Sequence, residues 1–374
     1  MKTLIRFYSL FLPKIIVMKK LTWIVSFVVS TCFLMSAQSE TEGLVKWLSF
    51  KEAQELNKQV PKPFLVDIYT DWCGWCKVMM RTTYSNPNIA GYINAYFYPI
   101  KFNAETKDTI EFDGQKYVST NPNYPKSAHQ LAVKFLGNNL AYPSTIFISP
   151  DLKTTFLSQG YLKEQDIEPF LVFMVENVYK STPFNTFQSL FKDAFYNPNL
   201  KKRTNVKTFK EIEAIKNRKK TAVFFYTNFC NSCKVMTQAL IHDSLVADVL
   251  NKYFHTVVIN AEEDTIVFKN QKYTKQMINN YPFNAAVLPI TNNKFSIPSF
   301  ALLDEQLNPI ETIPFFQTPE GLRHILIYFG ENLYKTMSWE EYVKRENEKN
   351  NSLNNSSSPS STQQKHSTTG KKKQ

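Results

Sequence analysis

Short apolar runs alternate with amphipathic stretches along most of the chain, and the whole succession occurs twice. Residues 63–69 and 221–226 are compact apolar runs rich in β-branched and aromatic side chains, which predicts buried strands. Each is preceded by a helical stretch that opens on S/T-x-x-E, Ser49 to Glu52 and Thr208 to Glu211. In such a capping box the two side chains satisfy orphan N–H groups at a helix start. Each run is followed at once by a second helix, then by another apolar strand at 96–102 or 254–259. A polar insert comes next, then a helix (127–136 in the first copy), a strand opening at a proline (143–148 and 298–303), a further strand and a last helix. Strands alternating with helices predict an α/β fold, here two tandem domains, each a central mixed sheet flanked by helices.

Identities pin the repeat. Cys73-Gly74-Trp75-Cys76-Lys77-Val78-Met79 matches Cys230-Asn231-Ser232-Cys233-Lys234-Val235-Met236. Asn103-Ala104-Glu105 matches Asn260-Ala261-Glu262, and Glu176-Asn177-Val178-Tyr179-Lys180 matches Glu331-Asn332-Leu333-Tyr334-Lys335. The offset stays between 155 and 159 residues, too long for a solenoid and fitting a duplicated domain. The expected domains are 45–180 and 205–345, joined by a solvated linker over 181–204 that contains Pro183, Asn185, Asn197 and Pro198. The insert at 109–118 predicts a β-hairpin turning at Asp113-Gly114, and 265–274 its counterpart. An edge hairpin serves either as a substrate ledge or as a solvated flap, and the flap is the simpler reading.

The ends differ from the body. Lys19-Lys20 leads an apolar run that ends in Ser36-Ala37, so residues 1–37 read as a signal peptide, or as an N-terminal anchor if left uncleaved. Cys32 lies inside that run, and Val29-Ser30-Thr31 before it makes a poor lipid-attachment context. Export to the periplasm or cell envelope is the expectation, with membrane association only for the uncleaved form. The tail 346–374 is rich in Asn, Ser, Gln and Lys and is expected to be disordered.

Composition then narrows the chemistry. The net charge of +12 is carried by the targeting segment, by residues 181–345 and by the tail, while residues 38–180 hold 14 basic and 15 acidic side chains. No domain shows a basic, aromatic-interleaved face, which argues against nucleic-acid binding. Of five cysteines, four form the two C-x-x-C pairs, so none beyond Cys32 is left for a structural bridge. Such usage means either redox chemistry or metal binding. A zinc ribbon needs roughly 15–20 residues between its pairs, far fewer than separate Cys76 from Cys230.

The segment 64–77, F-L-V-D-I-Y-T-D-W-C-G-W-C-K, resembles the active-site segment of the thioredoxin superfamily. It is similar to exported bacterial thioredoxin-like proteins and to the periplasmic thioredoxin-like domain of the thiol:disulfide interchange protein. A cysteine at a helix N-terminus meets unpaired N–H groups and the positive end of the macrodipole, which favour thiolate over thiol. Cys73 is thus the expected nucleophile and Cys76 the resolving thiol. The resemblance implies that Asp67 is a buried proton acceptor and that Lys101 lies near it, although a strand-end surface lysine is an equal reading. It also implies that Trp72, Tyr142, Pro143 and Gly160 line a substrate groove, with Pro143 in a cis-proline loop. For Trp72 the alternative is a core tryptophan, and for Gly160 a simple turn.

The second copy departs from this pattern. Phe224 stands where Asp67 does, Val258 replaces Lys101, Phe229 replaces Trp72 and Phe315 falls near the place of Gly160. Cys230, Cys233 and Pro298 remain. The resemblance implies a thiol–disulfide oxidoreductase with no cofactor beyond its redox-active disulfide. Its partners would be protein thiol or disulfide clients and a membrane or soluble thiol electron donor. The first pair is the expected working centre, and the second a less complete thiol pair. A non-catalytic binding or chaperone module with the same folds is the alternative. Reduction, isomerisation and oxidation share this machinery, so direction stays open.

Overall fold

The computed structural model describes residues 43–356. The chain divides into two compact units, Met1–Val175 and Glu176–Gln374.

In the first unit, helix α1 (Phe50–Gln59) starts at the Ser49–Glu52 capping box, with both reciprocal bonds formed. The central strand β1 (Phe64–Tyr69) is followed by α2 (Gly74–Arg81), a short turn of helix at Thr83–Ser85, α3 (Pro87–Tyr96) and β2 (Tyr98–Asn103). The insert is the hairpin β3 (Ile110–Phe112) and β4 (Gln115–Tyr117). Asp113 and Gly114 both take positive φ there, as a type I′ turn requires. Helix α4 (Gln130–Leu136), β5 (Ser144–Ile148), β6 (Thr155–Gln159) and α5 (Glu164–Val175) complete the unit. The sheet order is β2-β1-β5-β6. β1 runs parallel to β2 and antiparallel to β5. Phe64, Val66 and Ile68 of β1 pack with Phe102, Leu131 and Ile146 in one apolar core.

The second unit repeats the plan. Helix α6 (Phe184–Tyr196) precedes α7 (Phe209–Glu213), β7 (Lys220–Tyr226), α8 (Asn231–Gln238), α9 (Ser244–Tyr253) and β8 (Phe254–Asn260). The insert is a three-stranded meander of β9 (Thr265–Phe268), β10 (Gln271–Ile278) and β11 (Tyr281–Asn284). Then come α10 (Val287–Ile290), β12 (Ser299–Leu303), β13 (Pro309–Pro314), α11 (Pro319–Gly330) and α12 (Trp339–Ser356). The order β13-β12-β7-β8 copies the first sheet, with β7 and β8 parallel. One parallel pair, two antiparallel strands and helices around them make the thioredoxin-like arrangement, present twice.

The counterpart insert forms the expected hairpin, β9 and β10 turning at Lys269 and Asn270, and gains a third strand because Asn279 and Asn280 also adopt positive φ. Two expectations need correction. The stretch 181–204, expected as a solvated linker, holds α6, which packs on α8 and buries Phe187, Leu190 and Phe191. Its later residues are also tied down, with His242 Nδ1 accepting from the backbone N–H groups of Arg203 and Thr204. The tail, expected to be disordered from residue 346, begins inside α12. That helix is anchored by buried Tyr342 and opens with a reciprocal pair of bonds between Ser338 and Glu341. The segment 1–37 read as signal or anchor, Cys32 with it, and residues 357–374 of the tail lie outside the described residues. Among the described residues no helix is long and apolar enough to cross a membrane.

Candidate active sites

Cys73 is the N-cap of α2, and its sulfur accepts from the Cys76 backbone N–H at 3.1 Å. The three-residue separation brings the two sulfurs into a disulfide, with the Cα atoms 5.3 Å apart. Both cysteines are buried, whereas the intervening Gly74 and Trp75 are exposed. Trp72 is 57% exposed, which places it on the surface and not in the core. Its Nε1–H donates to Glu105 at 2.9 Å, and its ring meets that of Tyr142 edge-on at 6.0 Å. Trp75, 62% exposed, tilts against Tyr161. The Trp72–Tyr142 contact brings the loop holding Pro143 beside the residue that precedes Cys73. The Tyr142–Pro143 bond is cis, and the Pro143 carbonyl accepts from the Gly160 N–H at 2.8 Å. Gly160 has φ of +96°, a backbone conformation that suits glycine.

Asp67 lies in the middle of β1, opposite Lys101 on β2 and Thr145 on β5. It is buried, and Tyr84 donates to it at 3.4 Å. The Tyr84 hydroxyl also lies 3.5 Å from that of Thr145. Burial pushes the Asp67 carboxyl up to about 7, against smaller pulls from the Lys101 charge and the Tyr84 hydrogen bond. The Tyr84 hydroxyl is held well above its ordinary range by burial and by Asp67. Lys101 Nζ sits over the Tyr69 ring at 5.2 Å. It lines a cleft of about 920 Å³ between α1 and the β3–β4 hairpin, which neither cysteine reaches. Sequence alone singles out Asp67 and Lys101 but misses Tyr84, a contact that only the turn after α2 creates.

In the second unit Cys230 caps α8, accepts from the Cys233 N–H at 3.2 Å and is bonded to Cys233. The Ile297–Pro298 bond is cis, and the Pro298 carbonyl accepts from the Phe315 N–H at 2.8 Å. Phe315 thus takes the place of Gly160, with φ of +67° and an exposed ring. Phe229, half exposed, stacks on Tyr281 of the meander at 5.4 Å. The polar trio is gone. Phe224 lies opposite Val258 and Phe300, stacking on Phe300 at 5.2 Å, and Ile241 stands in the turn where Tyr84 stands. A carboxylate does approach this pair from elsewhere. Glu176 accepts from the backbone N–H groups of Asn231 at 2.9 Å and Ser232 at 2.8 Å.

A family profile described as "Thioredox_DsbH: Protein of unknown function, DUF255" matches residues 30–183, short of half the chain. Three solved structures are similar in part. A putative disulphide-isomerase from Bacteroides thetaiotaomicron is 22% identical over 36% of this chain and 96% of its own, with a TM-score of 0.26. The oxidised C-terminal domain of DsbD from Neisseria meningitidis is 22% identical over 34% and 90%, with a TM-score of 0.23. A structure described as DsbH oxidoreductase is 17% identical over 34% and 80%, with a TM-score of 0.23. No curated protein matches the chain. The fold assignment therefore rests on the strand order and register themselves.

Among the described residues no group of three His, Cys, Asp or Glu is placed to hold a metal ion. Two buried cysteine pairs at disulfide distance, each at a helix N-terminus, are suited to dithiol–disulfide exchange. Glu176 is the other residue that sequence reasoning missed. Its signal was the repeated Glu-Asn-x-Tyr-Lys, whose second copy uses Glu331 differently, to accept from Tyr253 at 2.6 Å.

Proposed function

We propose that the protein is a thiol–disulfide oxidoreductase of the cell envelope that reduces or isomerises protein disulfides at Cys73 and Cys76. The observation that carries this is Asp67: a carboxyl sealed inside the sheet of the same unit and tuned to about 7, able to give and take a proton near neutrality. Cys73 attacks a client disulfide as thiolate, Cys76 resolves the mixed disulfide, and Asp67 takes the Cys76 proton. Trp72, Tyr142, Pro143 and Gly160 form the rim on which an extended client chain lies, and Lys101 holds the charge of Asp67 in check. A thiol electron donor returns the pair to the dithiol. The signal-like residues 1–37 support export.

The second pair, Cys230 and Cys233 with Phe229 and Pro298 at its rim, is the slower centre, because no carboxylate stands on β7. Cys73→Ser and Cys230→Ser variants, assayed for reduction of insulin disulfides, test both statements. Loss of more than about 90% of activity in the first variant, and a smaller loss in the second, is expected. Equal losses would sink the asymmetry, and unchanged activity in Cys73→Ser would sink the assignment. A Cys73–Cys76 potential near about −270 mV would mark a reductase, and one near about −120 mV an oxidase.

A further inference from the structure

The second unit lacks the strand carboxylate, yet a carboxylate touches its nucleophile. Glu176 Oε2 lies 3.6 Å from Cys230 Sγ and also accepts from the Ser232 N–H, while Oε1 accepts from that of Asn231. These two amides are the ones that the first unit leaves beside exposed Gly74 and Trp75. Ser232, by contrast, is fully buried, and its hydroxyl lies 3.7 Å from the same sulfur. The charged group acting on Glu176 is Lys234 on α8, whose Nζ donates to the Asn228 carbonyl. Lys180, on the turn that follows Glu176, is drawn over the Tyr179 ring.

Two acidic groups at this separation, partly shielded from water, resist being ionised together. They titrate as a pair that holds one proton between them. Burial pushes the Glu176 carboxyl up, which strengthens that sharing.

We propose that Glu176 is the acid–base partner of Cys230, so that in the dithiol state the two share one proton and Cys230 attacks only by passing it to Glu176. This rests on reading Cys230 and Cys233 as a redox pair. The Cys230 proton moves to the Glu176 carboxylate, and the thiolate sulfur bonds to one sulfur of a client disulfide, whose S–S bond breaks. The sulfur that leaves takes the proton from Glu176. Cys233 then attacks Cys230 Sγ, closing the disulfide, and its proton goes with the second client sulfur. The client gains two electrons and two protons, and the pair loses them. The carboxylate thus serves the attacking thiol, whereas in the first unit Asp67 serves the resolving one.

The test is the pH dependence of iodoacetamide alkylation in the reduced full-length chain between pH 5 and 9, read at each cysteine by peptide mass spectrometry. In the unsubstituted protein the Cys230 midpoint should lie above that of Cys73, which occupies the same helix position without a facing carboxylate. Glu176→Gln keeps an acceptor for one of the two amides and removes the charge. It should lower the Cys230 midpoint by about one unit, alkylating it about tenfold faster at pH 7, with Cys73 unmoved. A Cys230 midpoint at or below that of Cys73 in the unsubstituted chain overturns the proposal, and needs no variant to fold. So does an unshifted midpoint in Glu176→Gln. No client is present, so failure of the insulin assay would tell against the catalytic assignment and leave this result standing.

Discussion

The hydroxyl of Tyr84 points at the carboxylate of Asp67 across 3.4 Å, and both side chains are sealed from water. Thr145 completes the contact from the neighbouring strand. The second unit replaces all three positions together, with Phe224, Ile241 and Phe300, every one of them fully buried. A buried carboxyl with two hydroxyls beside it in one unit is thus an apolar core in the other, on the same backbone plan.

Asp67→Asn should remove the inflection near pH 7 from the rate at which the first pair resolves a mixed disulfide. The side chain keeps its size and loses its proton. Single-turnover kinetics of Cys73–Cys76 against pH would show the change, and an inflection that persists would exclude Asp67 as the acceptor.

The same variant should change stability in a defined window. Asp67 has an ordinary value of 3.8, and the folded protein raises it to about 7. The native state therefore binds more protons than the unfolded chain between these values, and stability falls as pH rises through them. The full loss above pH 7 is on the order of a few kcal/mol. Asp67→Asn should melt higher than the parent at pH 8 and no higher at pH 4, as thermal scans at the two pH values would reveal.

Tyr84→Phe should push the Asp67 inflection upward by about one unit, because the hydrogen bond that favours the ionised carboxylate is lost. The first-unit resolving rate against pH reads this directly, and a downward shift would contradict it.

Phe224→Asp should destabilise the second unit by about 3 kcal/mol or more without making it faster. Its cross-strand neighbours, Phe300 and Val258, offer neither a hydroxyl nor a cation to the new carboxylate. Denaturant titration and the Cys230 reaction rate would both be needed to see that a single restored acid does not restore the centre.

Trp72→Ala should raise KM for a protein disulfide by about tenfold while kcat changes by less than about twofold, because the ring is exposed and packs on Tyr142. Equal effects on both constants would place Trp72 in the chemistry instead.

Much of this was legible in the chain itself. The repeat aligned both strands and both cysteine pairs, and a fixed offset of six from the first cysteine of each pair exposed the exchange of Asp67 for Phe224. Tyr84 was not legible, because its meeting with Asp67 depends on a helical turn folding back under the sheet. Helix α6 is hidden for a different reason. Pro183 and Asn197 have loop-forming side chains but cap the helix, and Phe184, Phe187, Leu190 and Phe191 between them carry a regular apolar stripe. Glu176 belonged to a visible motif, but an identical motif can aim its carboxylate at a cysteine in one copy and at Tyr253 in the other.

Phe315 has a backbone that glycine would occupy at no steric cost, and an aromatic side chain there gives up about 1 kcal/mol or more. Its N–H still makes the bond to Pro298 that Gly160 makes to Pro143, so the ring is not needed to hold the strand. Folding alone favours the smaller residue. The first unit thus presents bare backbone beside its cis-proline at Gly160, and the second an exposed phenyl ring at Phe315.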